Sequence, residues 1–143
     1  MADDDAGLRL ENVADDILRE HLEIVEVVAT IRRQRTAQDA LAKLEPLVRT
    51  LPDHFCDEES EDGVFWWISY VFPSLEPRVA FLAKEHSSLL EHARVTVDAM
   101  KRGEEDWSTA LTEFIDRFVV HELTERLLLN EAITGSVKQR ATG

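Results

Sequence analysis

The chain has 143 residues, 44% of them hydrophobic, which is enough to bury one core. Its 29 acidic and 16 basic residues give a net charge of −13, which argues against binding to nucleic acid or to anionic membranes. An acidic start, the lack of a membrane-length apolar run and a single cysteine predict a soluble protein of the reducing cytoplasm. We expect one domain over residues 1–143, with a bundle over about 8–135, a short acidic N-terminal tail and a loose C-terminal tail.

Two helices are predicted in the first half of the chain. The first runs from about Leu8 to Arg35, with the apolar stripe Leu10, Val13, Ile17, His21, Ile24, Val28 and Ile31. The second follows Thr36, a predicted N-cap, and runs toward Gly63. Its stripe is Leu41, Leu44, Val48, Leu51, Phe55 and Glu58, with His54 beside Phe55. Pro46 and Pro52 lie inside this pattern and are expected to kink or break the helix.

Two further helices are predicted in the second half. The third starts near Ser74 and stops at Gly103, with the stripe Val79, Leu82, His86, Leu89, Ala93, Val97 and Met100. The fourth starts near Asp106 and stops at Gly135, with the stripe Trp107, Leu111, Phe114, Phe118, His121, Glu125, Leu128 and Ala132. Four helices with short connections predict an all-α, antiparallel, up-down-up-down four-helix bundle.

Each predicted helix carries one histidine on or beside its stripe: His21, His54, His86 and His121. Glutamates follow two of them at the i+4 position, Glu58 after His54 and Glu125 after His121, so each pair shares a helix face. At about 1.5 Å per residue these positions fall at similar depths, provided that the second helix continues past Gly63. The pattern predicts a layer of four imidazoles and two carboxylates. Such a layer suits two transition-metal ions, with iron as the leading candidate.

A single histidine on an apolar face is more often a core residue than a ligand, so the prediction depends on the ordered set. Glu125 adds support, because a buried carboxylate without a partner is costly and no Lys or Arg shares its stripe. Glu59 and Glu122 are interpreted as solvated side chains, with a place behind the ligands as the alternative. His92 is expected to be exposed.

The order of His21, His54 with Glu58, His86, and His121 with Glu125 resembles the hemerythrin-like, or HHE cation-binding, family over about residues 8–135. The resemblance implies a non-haem centre of two iron ions that binds or senses oxygen, iron or redox state. The four histidines would be terminal ligands. The two glutamates would bridge the irons, where an oxo or hydroxo group can form a further bridge.

The chain departs from the oxygen-carrying members at two positions. Those proteins have a second histidine four residues after the third-helix histidine, where this chain has Leu90. They also have an aspartate five residues after the last histidine, where this chain has Arg126. The loss at Leu90 leaves one iron short of a protein ligand, which favours small exogenous ligands and oxidation. The pattern is more similar to the sensing and iron-responsive branches of the family.

Three functions stay open at this point. The first is a di-iron protein that binds or senses dioxygen or a related small ligand, with a protein partner if it is a sensor. The second is a di-iron enzyme that acts on peroxide or nitric oxide at the open iron. The third is a metal-free helical interaction module in which the polar layer sets the register of the helices.

Overall fold

The structure is a computed structural model that describes residues 2–142, with side chains from Asp5 onward. The described residues form five α-helices and no strand: α1 Ala2–Arg32, α2 Ala37–Glu59, α3 Val64–Val71, α4 Glu76–Lys101 and α5 Trp107–Thr142, with a 3-10 turn at Pro73–Leu75. The four long helices confirm the predicted all-α bundle. Within residues 2–142, none of the helices combines the length and the apolar content needed to cross a bilayer.

Contacts between helices define their directions. Near one end of the bundle the Ser136 hydroxyl donates to the Gly7 carbonyl, and near the other the Arg32 guanidinium binds Asp116 at 2.7 Å. Helices α1 and α5 therefore run in opposite directions. The same holds for α4 and α5, because Arg78 near the start of α4 binds Glu131 in the second half of α5, whereas Ser88 farther along α4 contacts Arg117 in the first half of α5.

The helix α5 is longer than predicted. It passes Gly135 and continues to Thr142, so the expected loose tail is wrong for residues 136–142. Gly135 does not stop the helix. Instead it makes room for Phe72, since a Cβ at Gly135 would lie 3.0 Å from the Phe72 ring.

The last turns of α5 are held against α1. The Arg140 guanidinium donates to both carboxylate oxygens of Glu11, at 2.6 and 2.7 Å. The single proton of the Ser136 hydroxyl is shared between this carboxylate, at 2.8 Å, and the Gly7 carbonyl. Helix α1 itself begins at Ala2 rather than Leu8 and ends at Arg32, so the predicted N-terminal tail is also helical from residue 2. Met1 and Gly143 lie outside the described residues.

Helix α2 stays helical through Pro46 and Pro52, so the predicted break does not occur. Both rings lie on the exposed face, where water can bind the carbonyl groups that each proline leaves without a donor. Thr36 is the predicted N-cap and accepts the Asp39 amide. The helix ends at Glu59, and Gly63 is the N-cap of the separate aromatic helix α3. Continuation of α2 past Gly63, the condition set for the depth of His54, therefore does not occur.

The core consists of two apolar clusters. The larger lies toward the α1–α2 connection and contains Val28, Ile31, Ala40, Leu44, Leu47, Leu51, Phe55, Leu89, Ala93, Val97, Met100, Leu111, Phe114, Ile115 and Phe118. The other lies under α3 and contains Ala6, Leu10, Ala14, Ile17, Val64, Phe65, Trp67, Ile68, Val79, Leu82, Leu128, Leu129 and Ala132. Along each long helix the buried histidines and glutamates fall at the boundary between the two clusters or beside it.

Candidate metal centre

The four histidines meet in one layer. His21 comes from α1, His54 from α2, His86 from α4 and His121 from α5, and none is more than 8% exposed. The ring centroids of His21 and His54 are 5.3 Å apart, and those of His86 and His121 are 5.0 Å apart. The Nε2 atom of each ring is buried and has no hydrogen-bond partner.

Glu58 and Glu125 lie between these rings, and both are fully buried. The Glu125 Oε1 atom is 3.5 Å from Nε2 of His21, and its Oε2 atom is 3.4 Å from Nε2 of His121. Glu58 Oε2 is 3.4 Å from Nε2 of His21, while its Oε1 lies 3.5 Å from Nε2 of His86. The structure therefore brings together all six residues that the sequence pattern selected.

Glu122 is a seventh member of the layer, and its interpretation as a solvated side chain is wrong. It is 3% exposed, and its Oε2 lies 3.2 Å from Nε2 of His21. A sequence signal was available, because Glu122 follows Ile115 and Phe118 by seven and four residues, which is the spacing of a second buried stripe on α5.

Two carboxylates lie behind the layer. Glu59 Oε2 is 2.8 Å from Nδ1 of His86, and Glu85 Oε1 is 2.9 Å from Nδ1 of His121. Such a partner keeps the proton on Nδ1 and leaves Nε2 with a free lone pair that faces inward. Glu59 therefore lies behind a ligand, which was the alternative interpretation of this residue. Nothing in the sequence pattern selected Glu85. Nδ1 of His21 is buried and has no such partner.

Burial determines the charge state of the layer. Desolvation lowers the pKa of His21 to about 3 and that of His54 to about 4, with neighbouring histidines as a further cause. Desolvation also lowers the pKa of His86 and His121, against the opposing effect of their carboxylate partners. It raises the pKa of Glu122 and Glu125 to about 8. The imidazoles are neutral at pH 7, which is the form that binds metal ions.

The unpartnered atoms fit a cation. Every buried side-chain N or O atom without a hydrogen-bond partner in the described part of the chain belongs to this layer: His21, His54, Glu58, His86, His121, Glu122 and Glu125. Ligand atoms within 4.8 Å of one another form three groups: His21, His54 and Glu122; His86, His121 and Glu125; His21, Glu58 and Glu125. Imidazole nitrogen with carboxylate oxygen is a donor set that suits iron, zinc and similar divalent ions.

Apolar side chains enclose the layer. The Phe55 ring stacks on His86 with centroids 3.9 Å apart, and the Phe65 ring lies 5.7 Å from the same imidazole. Leu90 is half-buried, packs against the larger apolar cluster and lines a surface cavity with His86 and Phe55. His92, expected to be exposed, is half-buried next to Phe114.

Comparison with known proteins agrees with this geometry. Residues 12–133 match the family described as the hemerythrin HHE cation binding domain, which covers most of the chain and every residue of the layer. Neither the curated proteins nor the solved structures include a significant match.

Proposed function

Because this chain belongs to the hemerythrin HHE cation-binding family, we propose that its polar layer holds two iron ions and that the protein binds or senses dioxygen or a related small oxidant. We also propose that the protein is cytoplasmic and that, if it is a sensor, it acts through a protein partner. His21, His54 and Glu122 would hold one ion, and His86 and His121 would hold the other. Glu58 and Glu125 would bridge the two.

The observation that carries the proposal is the position of Glu125. Its carboxylate is fully buried, spans from His21 to His121, and has no Lys or Arg partner within the described residues. Ionising a lone buried carboxyl group costs several kcal/mol, and neutral imidazoles cannot offset the charge, so without a cation burial raises the pKa of Glu125 to about 8 and keeps it largely protonated at pH 7. Two cations between the histidine pairs would offset the charge, with one carboxylate oxygen directed to each.

Glu122 bears on the kind of function. Its carboxylate faces the His21 and His54 side, where it would add a ligand to that ion and leave one position fewer for dioxygen there. A cavity of about 230 Å³ reaches Glu122 from solvent, and its lining is mainly apolar: Ile24, Val25, Val28, Phe118, Val119 and Leu123, with Arg126. A small uncharged ligand would partition into such a cavity. These features favour sensing over carriage.

When bound, iron would supply electron exchange with small oxidants. The protein's own part would be to hold neutral imidazoles in place through Glu59 and Glu85, to keep bulk water out with Phe55 and Phe65, and to join the two halves through Glu58 and Glu125. The metal-free interaction module is the weaker hypothesis. A layer that sets helix register by polar contacts needs paired groups, and these atoms lack partners.

Metal analysis tests the proposal. Protein purified without chelator, or reconstituted anaerobically with ferrous iron, should contain close to two irons per chain and should show a near-ultraviolet band after exposure to air. Negligible iron after reconstitution would disprove it. Assays for consumption of peroxide or nitric oxide by the loaded protein separate the enzyme hypothesis from the sensor.

A further inference from the structure

A second surface cavity, of about 340 Å³, lies between α1 and α2 and reaches His54. We call it the acidic cavity, because it is lined by four carboxylate residues together with Ile24, Thr50 and His54. The four are Glu20, Glu23, Asp53 and Asp57, two from each helix. No Lys or Arg lines it.

The carboxylates of the acidic cavity are not neutralised by the protein. Within residues 5–142, none of these four carboxylate groups makes an ion pair or accepts a hydrogen bond from a side chain; the Ser60 hydroxyl donates to the backbone carbonyl of Asp57, not to its carboxylate. Elsewhere on the same surface, acids are paired: Asp15 and Asp16 bind Arg19. The unpaired set therefore produces a negative potential inside the cavity, which concentrates cations there.

The inner wall of the cavity is a residue of the metal centre. His54 lines the cavity, is only 8% exposed, and its Nε2 has no hydrogen-bond partner. That atom lies 3.6 Å from Oε1 of Glu58. The His54 imidazole thus lies between the acidic cavity and the Glu58 carboxylate.

The other two cavities that reach the centre have different chemistry. The one beside Glu122 is mainly apolar and includes the cationic Arg126. The one beside His86 has a single carboxylate, Glu59, which already binds the His86 ring. Neither offers a hydrated cation a set of free oxygen ligands.

We propose that the acidic cavity is the entrance through which a hydrated divalent cation, ferrous iron in the cell, is captured and delivered to the centre past His54. This inference rests on the proposed function. The carboxylates hold the ion by its water shell, as hard oxygen ligands do, and the ion then exchanges water for the imidazole. Apolar ligands use the cavity beside Glu122 instead, so the ion and the small molecule arrive by separate routes.

The test measures the rate of metal uptake separately from the amount bound. Co²⁺ serves as the probe, because its visible bands report ligation and it does not oxidise in air. The test variant combines Glu23→Gln with Asp53→Asn, and Thr50→Lys adds a positive charge to the same cavity without removing a carboxylate. The control, Glu105→Gln with Glu113→Gln, removes two exposed charges that do not line the cavity.

Electrostatic steering changes association rates by about 10- to 1,000-fold, so loss of half of the carboxylates should slow stopped-flow uptake about three- to tenfold at low salt. Thr50→Lys should slow it as well, and 0.5 M salt should remove both differences. The control should bind at the parent rate, and all proteins should reach two Co²⁺ per chain.

Two results would overturn the entrance while leaving the metal centre intact. One is full stoichiometry with parent rates in both cavity variants, and the other is equal slowing in the control. Failure of the parent protein to bind Co²⁺ at all would instead overturn the metal centre, and the entrance with it.

Discussion

The Glu85 carboxylate lies 2.9 Å from Nδ1 of His121 and links the outer side of α4 to the centre of α5. Glu59 makes the equivalent contact with His86. Both histidines of one half are therefore oriented by carboxylates, whereas Nδ1 of His21 in the other half has no partner. The two proposed ion positions are not equivalent, and the half with the carboxylate partners has the more basic imidazoles.

Replacing Glu85 with Gln should lower the affinity for one of the two metal ions selectively. Gln cannot hold a proton on Nδ1 of His121 as a carboxylate does, and loss of such a partner lowers metal affinity by about 10- to 100-fold. Titration of Co²⁺ against a chelator should show one binding step weakened and one unchanged. Glu91→Gln, an exposed change on the same helix that breaks only the pair with Arg94, should leave both steps as in the parent. Equal weakening of both steps would contradict the assignment.

Replacing Glu122 with Leu should have opposite effects on the metal-free and metal-loaded protein. Without metal, the variant removes a buried carboxyl group that has no partner, so the free energy of unfolding should rise by about 1–3 kcal/mol. With metal, it removes a ligand, so affinity should fall. Urea denaturation with chelator and with saturating Co²⁺ measures both. A metal-free variant less stable than the parent would mean that Glu122 has a partner in solution.

Leu90→His tests the open position inferred from the sequence. Leu90 lines the cavity that reaches His86, one helical turn away. A histidine there should slow autoxidation of the iron-loaded protein and weaken azide binding, at a cost of about 1–3 kcal/mol for burying a polar ring without metal. The variant should therefore be more destabilised in the metal-free form. Unchanged autoxidation, with equal destabilisation in both forms, would show that Leu90 does not face the ions.

Removal of the metal should loosen α2 more than the other long helices. Pro46 and Pro52 each remove a backbone hydrogen bond, and α2 ends one residue after Glu58. Hydrogen exchange should show the largest loss of protection over residues 52–59 when chelator is added. Equal protection with and without metal would mean that folding and metal binding are not coupled.

The pair of Glu11 and Arg140 should add a pH dependence that is independent of the centre. The hydrogen bond from Arg140 holds the pKa of Glu11 below its ordinary value of 4.5, so the folded state binds this proton less readily than the unfolded state. The stabilisation is present above pH 4.5 and is lost as the pH falls below it. Glu11→Gln should lower the free energy of unfolding at pH 7 by about 1 kcal/mol at most and flatten its fall below pH 4.5. Glu131→Gln, which breaks the exposed pair with Arg78, is the matched control.

The six residues of the layer were predictable because helical spacing determines both face and depth. His121 and Glu125 share a face through the i+4 relation, and one histidine on each long helix follows from stripe positions alone. Glu122 was missed because it lies about 100° around α5 from His121, and only the approach of α1 buries it. Whether a carboxylate at such a flank is solvated depends on the crossing of two helices, which a pattern along one helix does not contain.

Helix ends were less predictable for the same reason. Gly135 is a residue type that commonly ends helices, and Pro46 and Pro52 are of a type that commonly breaks them. The contact with Phe72 and the bonds from Glu11 to Ser136 and Arg140 override the first signal. Both prolines are exposed, so water can bind the carbonyl groups left without a donor and the helix continues through them.

The polar layer also divides the hydrophobic core into two parts. Their unfolding is less cooperative than the unfolding of one continuous core would be. Dispersion and burial stabilise each cluster separately, while the rings and carboxyl groups between them have inward-facing atoms without hydrogen-bond partners. Without ions, the bundle should open in two cooperative units, with the α3 end and the α1–α2 end exchanging at different rates. Ions bound by all four long helices at one level would join the two clusters into one cooperative unit. A partner protein that binds one end of the bundle would then respond to metal occupancy through local unfolding, without contacting the metal.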